Sequence, residues 1–323
     1  MKKRVFALFT AMFLLCGMLA GCGPTGSSST TTDGSDDGAK DTLIVAIPES
    51  PTYMDPMVQA SIGTYRVTTQ MFDRLVMMDN DMNLVPGLAE SWEVIDDTTT
   101  VFHLRQGVKF HNGQEMTADD VVASMSRWLE LSGKAKALLA GTVFEKADDY
   151  TITMTLPEAY ADALTVVAAS IQFPAIYPKS VIDSAGTEGI TEYIGTGPYK
   201  LDEWKQDQYI HLVRYEDYAQ PAGESSGFTG EKLAATPDIY FRVVTDDSTR
   251  VAGVQTGQYD IAEEMPQERY QELSGDSSLK FYVKTAGTIN LFFNTTKGIM
   301  ASPQMRQAIM ACLNCDDIML ASY

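Results

Sequence analysis

The stretch between Leu88 and Leu131 constrains the fold most, because it places strand, turn and helix signals in a fixed order. Residues 92–95 and 100–104 are short runs rich in β-branched and aromatic side chains, which favours two strands joined at an Asp-Asp turn. A third run, 108–110, is closed by Asn-Gly, a pair that tolerates positive φ and indicates a tight turn. The first part of the stretch therefore predicts three short strands.

A helix is predicted directly after these strands. Thr117 occupies the position of an N-cap, and Asp120 three residues later can complete a capping box. Five apolar residues then recur at helical spacing, which predicts one buried helix face. They are Val121, Val122, Met125, Trp128 and Leu129.

Further strand patterns lie on both sides of this stretch. Residues 42–47 form a continuous apolar run typical of a buried strand, and a rigid loop containing three prolines, 48–56, follows it. The other predicted strands are 142–146, 150–156, 199–204, 209–215, 238–244, 259–262, 279–285 and 289–294. We find no internal repeat of fixed period in the sequence.

Four more helices are predicted from apolar periodicity and from start and stop signals. They are 62–78 with Ile62, Tyr65, Phe72, Leu75 and Val76 facing inward, 159–169, a helix capped by Asp246 or Ser248 that ends at Gly257, and a helix opened by Pro303. Cys312 and Cys315 form a lone Cys-x-x-Cys in this last pattern. Without a second such pair or a nearby histidine, we interpret them as two small buried residues and not as a redox or zinc site.

The N-terminus has the features of a targeting segment. Basic residues at 2–4 precede an apolar run, 5–20, that is too short to span a bilayer core of ~30 Å comfortably. The run ends in Leu-Ala-Gly-Cys, which resembles a bacterial lipobox and makes Cys22 the predicted site of lipid attachment. The alternative is an ordinary signal peptide with an incidental cysteine. Residues 22–41 are rich in Gly, Ser and Thr and predict a flexible tether.

The composition limits the classes of partner. With 45% hydrophobic and 21% charged residues, the chain is typical of a globular protein. Its formal net charge of −19 repels phosphate backbones, so we exclude nucleic acid as a partner. The acidity is typical of a surface that keeps an extracytoplasmic protein soluble.

Several motifs in this order are recognisable as a family signature. They are Ala-Glu-Ser-Trp-Glu, Phe-His-Leu-Arg-Gln-Gly-Val-Lys-Phe-His-Asn-Gly and Thr-Ala-Asp-Asp-Val-Val within residues 89–122, and Gly-Thr-Gly-Pro-Tyr at 195–199. Together they closely resemble the family 5 extracellular solute-binding proteins, the peptide/nickel-type receptors of ABC importers. The resemblance implies an α/β, periplasmic-binding-protein-like (type II) fold of two lobes, with an extra subdomain in the first lobe.

The resemblance also implies a division of the chain. It gives a lipoprotein signal peptide at 1–21, the tether at 22–41, a first part of lobe I at 42–79, its extra subdomain at 80–194, its second part at 195–247, and the start of lobe II at 248–323. Family members are considerably longer than this chain. We therefore expect a C-terminally truncated protein with an incomplete second lobe.

The ligand contacts implied by the resemblance fall on two segments. Ser50 and Tyr53 lie in the loop after the first strand, and Thr288, Asn290 and Asn294 lie on or beside a predicted strand. A purely structural turn is an equally open interpretation of the first segment. In many family members that bind peptides, an acidic residue of the second lobe meets the ligand's amino group, in a part beyond this sequence.

We find no catalytic, metal or cofactor motif in the sequence. The Gly-x-Ser-x-Gly match at 223–227 lacks a preceding hydrophobic strand and a later histidine, so it does not form a hydrolase elbow. His103, His111 and His211 show no spacing of metal ligands. The sequence therefore predicts a binding protein without a cofactor, and not an enzyme.

These observations lead to one functional hypothesis. The chain is predicted to be a lipid-anchored substrate-binding protein on the extracytoplasmic face of a bacterial membrane. It would capture peptides or peptide-like solutes and deliver them to a permease and ATPase complex. A peptide-signal receptor or a surface interaction protein without transport is the alternative, while a secreted hydrolase is opposed by the missing nucleophile and base. The sequence leaves the ligand open among peptides, nickel chelates, sugars and other solutes.

Overall fold

A computed structural model describes residues 40–185, 189–283 and 290–322. Its strands are β1 (Thr42–Ile47), β2 (Val76–Met78), β3 (Leu84–Pro86), β4 (Ala89–Val94), β5 (Thr99–Leu104), β6 (Val143–Asp148), β7 (Thr151–Thr155), β8 (Tyr199–Lys205), β9 (Tyr209–Arg214), β10 (Asp238–Val243) and β11 (Ile261–Ala262). Its helices are α1 (Ile62–Met71), α2 (Ala118–Leu131), α3 (Gly133–Leu138), α4 (Ala163–Val167), α5 (Lys179–Ser184), α6 (Asp247–Gln255), α7 (Tyr270–Leu273), α8 (Pro303–Cys312) and α9 (Cys315–Ser322). The predicted signal peptide, most of the tether and Cys22 lie outside the described residues.

The main sheet contains five strands in the order β11-β1-β10-β9-β8. The apolar run of β1 lies inside this sheet, parallel to both β10 and β11. Val45 pairs with Phe241 on one side and with Ile261 on the other. Strands β9 and β8 extend the sheet in antiparallel fashion. The predicted α/β class is confirmed, and the carboxyl ends of β1, β10 and β11 meet at one edge of the sheet.

The Leu88–Leu131 stretch forms the second sheet and its covering helix. Strands β4, β5, β7 and β6 pair in that order as an antiparallel sheet, with Phe102 opposite Trp92 and Ile152. Helix α2 packs against β6 and β7 and buries Val121, Met125 and Trp128. The predicted capping box is present, since the amide of Thr117 donates to the carboxylate of Asp120 at 2.9 Å. The helix start and its buried face are thus confirmed.

The helix predicted at 62–78 is wrong in its length and in its face. Helix α1 ends at Met71, Phe72 is extended with φ −126°, and residues 76–78 form β2 paired with β3. Ile62 is 61% exposed, and α1 buries Val67 and Met71 instead. The apolar residues after the helix are buried as extended chain, so helical spacing continued by chance past the true end.

Other expected elements are also corrected. Residues 108–110 form no strand, because only Lys109 and Glu115 make an isolated bridge there. The helix predicted at 159–169 is confined to α4. The described parts of the two predicted strands at 279–285 and 289–294 contain no strand, and residues 284–289 lie outside the description.

The prediction of two buried cysteines is wrong. Cys312 ends α8 and Cys315 begins α9, and both side chains are exposed. Helix α8 buries none of its residues against the described part of the chain. The helix is therefore formed as predicted, with Pro303 in its first turn, although its apolar positions Met305 and Ile309 are only half-buried. No helix within 40–185, 189–283 and 290–322 has the length and apolar character needed to cross a membrane.

Ser61 caps the helix that leads away from the first loop. Its Oγ accepts a hydrogen bond from the amide of Thr64 at 3.2 Å, which satisfies one of the free donors of the first turn. We expect Ser61→Ala to lower the free energy of unfolding by about 1 kcal/mol, measured by urea denaturation. Ser302→Ala is the matched control, because Ser302 occupies the N-cap of α8 without a side-chain cap bond. An equal loss in both variants would contradict the capping role of Ser61.

Candidate functional site

The strongest candidate site is the carboxyl edge of the three parallel strands. In open α/β sheets, ligands bind in the crevice outside this edge, since loops from several strands converge there. The loop 48–56 follows β1, residues 244–246 follow β10, and residues 263–266 follow β11. Contacts among these segments and α1 define the geometry of the edge.

Ser50 connects the first loop to the turn between β8 and β9. Its Oγ accepts hydrogen bonds from Nε2 of Gln206 at 3.2 Å and from the amide of Asp207 at 3.3 Å. The hydroxyl also donates to the carbonyl of Pro51 at 3.4 Å. The predicted ligand contact therefore holds two loops together in this structure.

Tyr53 connects the same loop to residues 189–193. Its hydroxyl donates to the carbonyl of Ile190 at 2.9 Å, and its ring meets Tyr193 edge-on at 6.2 Å between centroids. Burial raises the pKa of Tyr53, with a smaller contribution from the charge of Asp55. The phenol is therefore a neutral hydrogen-bonding group that can both donate and accept.

Of the other predicted ligand residues, the structure describes Asn290 and Asn294. Asn294 is exposed, and its Oδ1 accepts from the amide of Thr296 at 3.1 Å and from its hydroxyl at 2.8 Å. Asn290 is also exposed, and Thr288 lies outside the described residues. Their place in a ligand site stays a prediction.

Arg250 organises the edge and was missed in the sequence. Its side chain is 2% exposed, and its guanidinium reaches the segments after both β10 and β11. It donates to the carbonyls of Val244 at 2.7 Å, Thr245 at 3.2 Å, Glu263 at 3.1 Å and Glu264 at 2.9 Å. The one available signal was an arginine on the same helical face as Val251 and Val254. A planar fork with five donors can satisfy such a set of acceptors, which a lysine ammonium cannot do.

Arg66 on α1 supplies a second buried guanidinium at this edge. Its side chain is 8% exposed and pairs with Glu263 and, at 3.1 Å, with Glu264. Burial raises the pKa of the Glu263 carboxyl, and the charge of Arg66 opposes that shift. Nη1 of Arg66 is buried without a partner in the described part of the chain. Glu264 has a φ of +52°, a conformation that residues other than glycine rarely adopt.

The edge therefore carries neutral, positively charged and negatively charged hydrogen-bonding groups. Ser50 and Tyr53 contribute hydroxyls, Arg66 contributes a guanidinium, and Glu263 and Glu264 contribute carboxylates. Such a set can orient a polar solute by its amino, carboxyl or amide groups. Among the residues that the structure describes, no group of His, Cys, Asp and Glu could hold a metal ion.

The Gly-Thr-Gly-Pro-Tyr motif is held by His111 from the first signature. Nδ1 of His111 accepts from the amide of Gly195 at 3.2 Å, and Nε2 lies 3.0 Å from the carbonyl of Gly197. This pairing requires the neutral tautomer with its proton on Nε2. A Cβ on Gly195 would lie 2.1 Å from the carbonyl oxygen of Met71, so this close approach to α1 requires glycine.

The three histidines serve separate contacts. His103 lies 3.7 Å from Glu93, while His211 bridges Asp202 at 2.9 Å and Asp238 at 2.6 Å. Each histidine thus has partners of its own in the fold.

Comparisons with known proteins agree with this architecture. The profile described as "Bacterial extracellular solute-binding proteins, family 5 Middle" matches residues 83–323. The glutathione-binding protein GsiB of Escherichia coli (strain K12) is 27% identical over 283 residues, which is 85% of this chain and 52% of GsiB. The chain thus spans about half the length of this relative.

Solved structures show the same fold. The dipeptide binding protein from Pseudoalteromonas sp. SM9913, in complex with Met-Leu, has a TM-score of 0.73 at 20% identity and covers 87% of this chain and 58% of its own. The protein AgaA from A.tumefacien R10, in complex with agropinic acid, matches with a TM-score of 0.64 at 26% identity. This match covers 73% of this chain and 46% of AgaA. Fold and edge thus define an α/β protein of the periplasmic-binding class.

The profile matches most of the chain and assigns the family directly. The chain belongs to family 5 of the bacterial extracellular solute-binding proteins. The resemblance seen in the signature motifs is confirmed.

Proposed function

We propose that this chain is part of the substrate-binding lipoprotein of an ABC importer and captures peptides or peptide-like solutes. The family match is the observation that carries this proposal, because relatives in it bind glutathione, dipeptides and agropinic acid. The permease and ATPase complex is the proposed recipient of the ligand. Anchoring through a diacylated Cys22, with residues 22–41 as tether, would keep the protein at the extracytoplasmic membrane face.

The proposed ligand cleft lies at the carboxyl edge of the main sheet. Ser50 and Tyr53 form its first wall, and the segment with Thr288, Asn290 and Asn294 belongs to the opposite lobe. Under the proposed boundaries, lobe I consists of residues 42–247 with an extra subdomain at 80–194, and lobe II begins at 248. Closure of the two lobes on a solute would present the closed form to the permease.

Calorimetric titration of the purified chain with glutathione and with the dipeptide Met-Leu tests this proposal. We expect saturable binding of at least one of them, without cleavage, because pocket hydrogen bonds orient a solute and the Ser50 hydroxyl donates to the carbonyl of Pro51 and not to a general base. Replacing Ser50 with Ala together with Tyr53 with Phe should weaken the binding by roughly tenfold, through the loss of two hydroxyls.

Ser225→Ala is the control for this titration, since Ser225 is an exposed serine outside the segments that follow β1, β10 and β11. It should leave the affinity unchanged. Peptide cleavage would refute the binding function, and equal loss in both variants would refute the assigned cleft wall.

A further inference from the structure

A cavity of about 430 Å³ opens at one end of the four-stranded sheet, apart from the carboxyl edge of the main sheet. Ligand pockets in proteins fall in the same range of ~300–1,000 Å³. Its walls come from the β4–β5 turn, the start of β5, the end of β7 and the approach to α4. The lining residues are Val94, Asp96, Asp97, Thr98, Thr100, Leu156, Ala159, Tyr160, Ala161, Ala163 and Leu164.

The walls of this cavity are preformed by backbone hydrogen bonds. The amide of Leu156 donates to the carbonyl of Thr98 at 2.8 Å and joins the chain after β7 to the β4–β5 turn. The amide of Ala163 donates to the carbonyl of Tyr160 at 3.2 Å and folds the approach to α4 over the same space. Leu156 and Ala163 are buried, so the floor is apolar and fixed.

The charge inside the cavity has one sign. Asp96 and Asp97 are its only charged lining residues, and neither pairs with a cation in the described part of the chain. Asp96 accepts from the amide and the hydroxyl of Thr98, both at 2.8 Å, and these bonds lower its pKa. The carboxylate of Asp97 and the hydroxyl of Tyr160 have no hydrogen-bonding partner among residues 40–185, 189–283 and 290–322. Two unused polar groups therefore stand over an apolar floor.

We infer that this cavity is a second ligand site, which takes a small organic cation with an apolar body and an ammonium head. The apolar body would cover Leu156, Ala163 and Leu164, and the ammonium would donate to Asp97 and Tyr160. An anionic group is repelled by the two carboxylates, and a neutral group gains no ionic contact. The site shares no residue with the proposed peptide cleft, so the inference is independent of the proposed transport function.

Titration of the full chain with three probes of similar size tests the inference. Phenethylammonium carries the cation, phenethyl alcohol is its neutral counterpart, and phenylacetate carries the opposite charge. We expect saturable binding of phenethylammonium about tenfold tighter than that of the alcohol, and no binding of phenylacetate. Added salt should weaken only the binding of the cation, because the carboxylates are exposed.

Two variants locate the binding. Asp97→Asn should bring the affinity for phenethylammonium down to that for the alcohol, a loss of roughly tenfold. Ala159→Trp should abolish binding of both, because Ala159 is an exposed lining residue where an indole fills the mouth without entering the core. The matched control is Asp81→Asn, an exposed aspartate whose carboxylate has no partner in the described chain and lies outside the cavity.

Three results would overturn this assignment. Equal affinities for the cation and the alcohol would show that the carboxylates do not contribute to binding. Binding of phenethylammonium that survives Ala159→Trp would place it elsewhere on this acidic surface. Absence of saturable binding to a chain that melts cooperatively would show that the cavity is no ligand site.

Discussion

Replacing Arg250 with Met should lower the free energy of unfolding by about 3 kcal/mol or more. The substitution keeps most of the apolar stem and removes the guanidinium that donates to four carbonyls. A buried acceptor that loses its donor costs roughly 1–3 kcal/mol, and water that enters the site recovers only part of that loss. Urea denaturation followed by circular dichroism measures the effect as a lower midpoint at unchanged slope.

Arg269→Met is the control, because in the described part of the chain the Arg269 guanidinium bonds to one residue, Glu272, three positions away on the surface. Its midpoint should stay at that of the unchanged chain, since surface ion pairs add little stability. The urea midpoint of Arg250→Lys should lie between those of the two Met variants, because an ammonium keeps the charge but cannot reach four separated carbonyls. Equal midpoints for the Met variants of Arg250 and Arg269 would contradict the role of the buried guanidinium.

Arg250 also bears on how the proposed lobes are joined. It fixes residues 244–245 and 263–264 to one helix, and the proposed boundary at 247/248 lies between these two segments. Arg66 holds the second segment from α1 through Glu263 and Glu264. The two arginines therefore tie residues 244–245 and 263–264 to α6 and α1. Hydrogen exchange at 244–245 and 263–264 should quicken in the Arg250→Met variant.

The elements that the sequence predicted correctly are those with local signals. Helix α2 begins at its capping box, and strands β5, β7, β8, β9 and β10 follow runs of alternating or continuous apolar residues. A cap and a periodic pattern need only neighbouring residues, so no knowledge of the fold is required. The end of α1 had no such signal, because the apolar residues after Met71 continue the helical spacing while packing as extended chain.

The candidate site could be predicted only in part, for the same reason. The loop after β1 follows from the strand pattern and the family signature, which gave Ser50 and Tyr53. Arg66 and His111 depend on partners far away in the sequence, such as Glu263 for Arg66 and Gly197 for His111. Arg250 depends on nearby backbone carbonyls, which every residue carries and which no sequence pattern marks. Spacing along the chain carries no information about such contacts. The cavity beside the small sheet was missed likewise, because its walls come from two stretches, 94–100 and 156–164, that lie far apart in the sequence.

His111 should make the stability of the chain depend on pH in a defined window. Burial lowers its pKa to about 4 in the folded chain, while an unfolded histidine keeps a value near 6.5. Between these values the unfolded chain binds a proton that the folded chain does not, so stability falls as the pH falls. The expected loss is about 3 kcal/mol from pH 6.5 to pH 4, with no contribution above that window and no further loss below it.

Comparison with His111→Phe isolates this contribution from the titration of carboxylates. Phenylalanine retains a ring against Tyr215, which the imidazole meets edge-on at 5.1 Å, but it cannot bind a proton. At pH 7.5 the variant should be less stable, because the bonds to Gly195 and Gly197 are lost. Towards pH 4 the difference in free energy of unfolding between the two chains should shrink by about 3 kcal/mol. Only the unchanged chain loses stability there, because its buried imidazole binds a proton less readily than an unfolded histidine does. Parallel curves for His111→Phe would instead show that His111 binds a proton equally well in the folded and the unfolded chain, which would contradict a buried imidazole held neutral by Gly195 and Gly197.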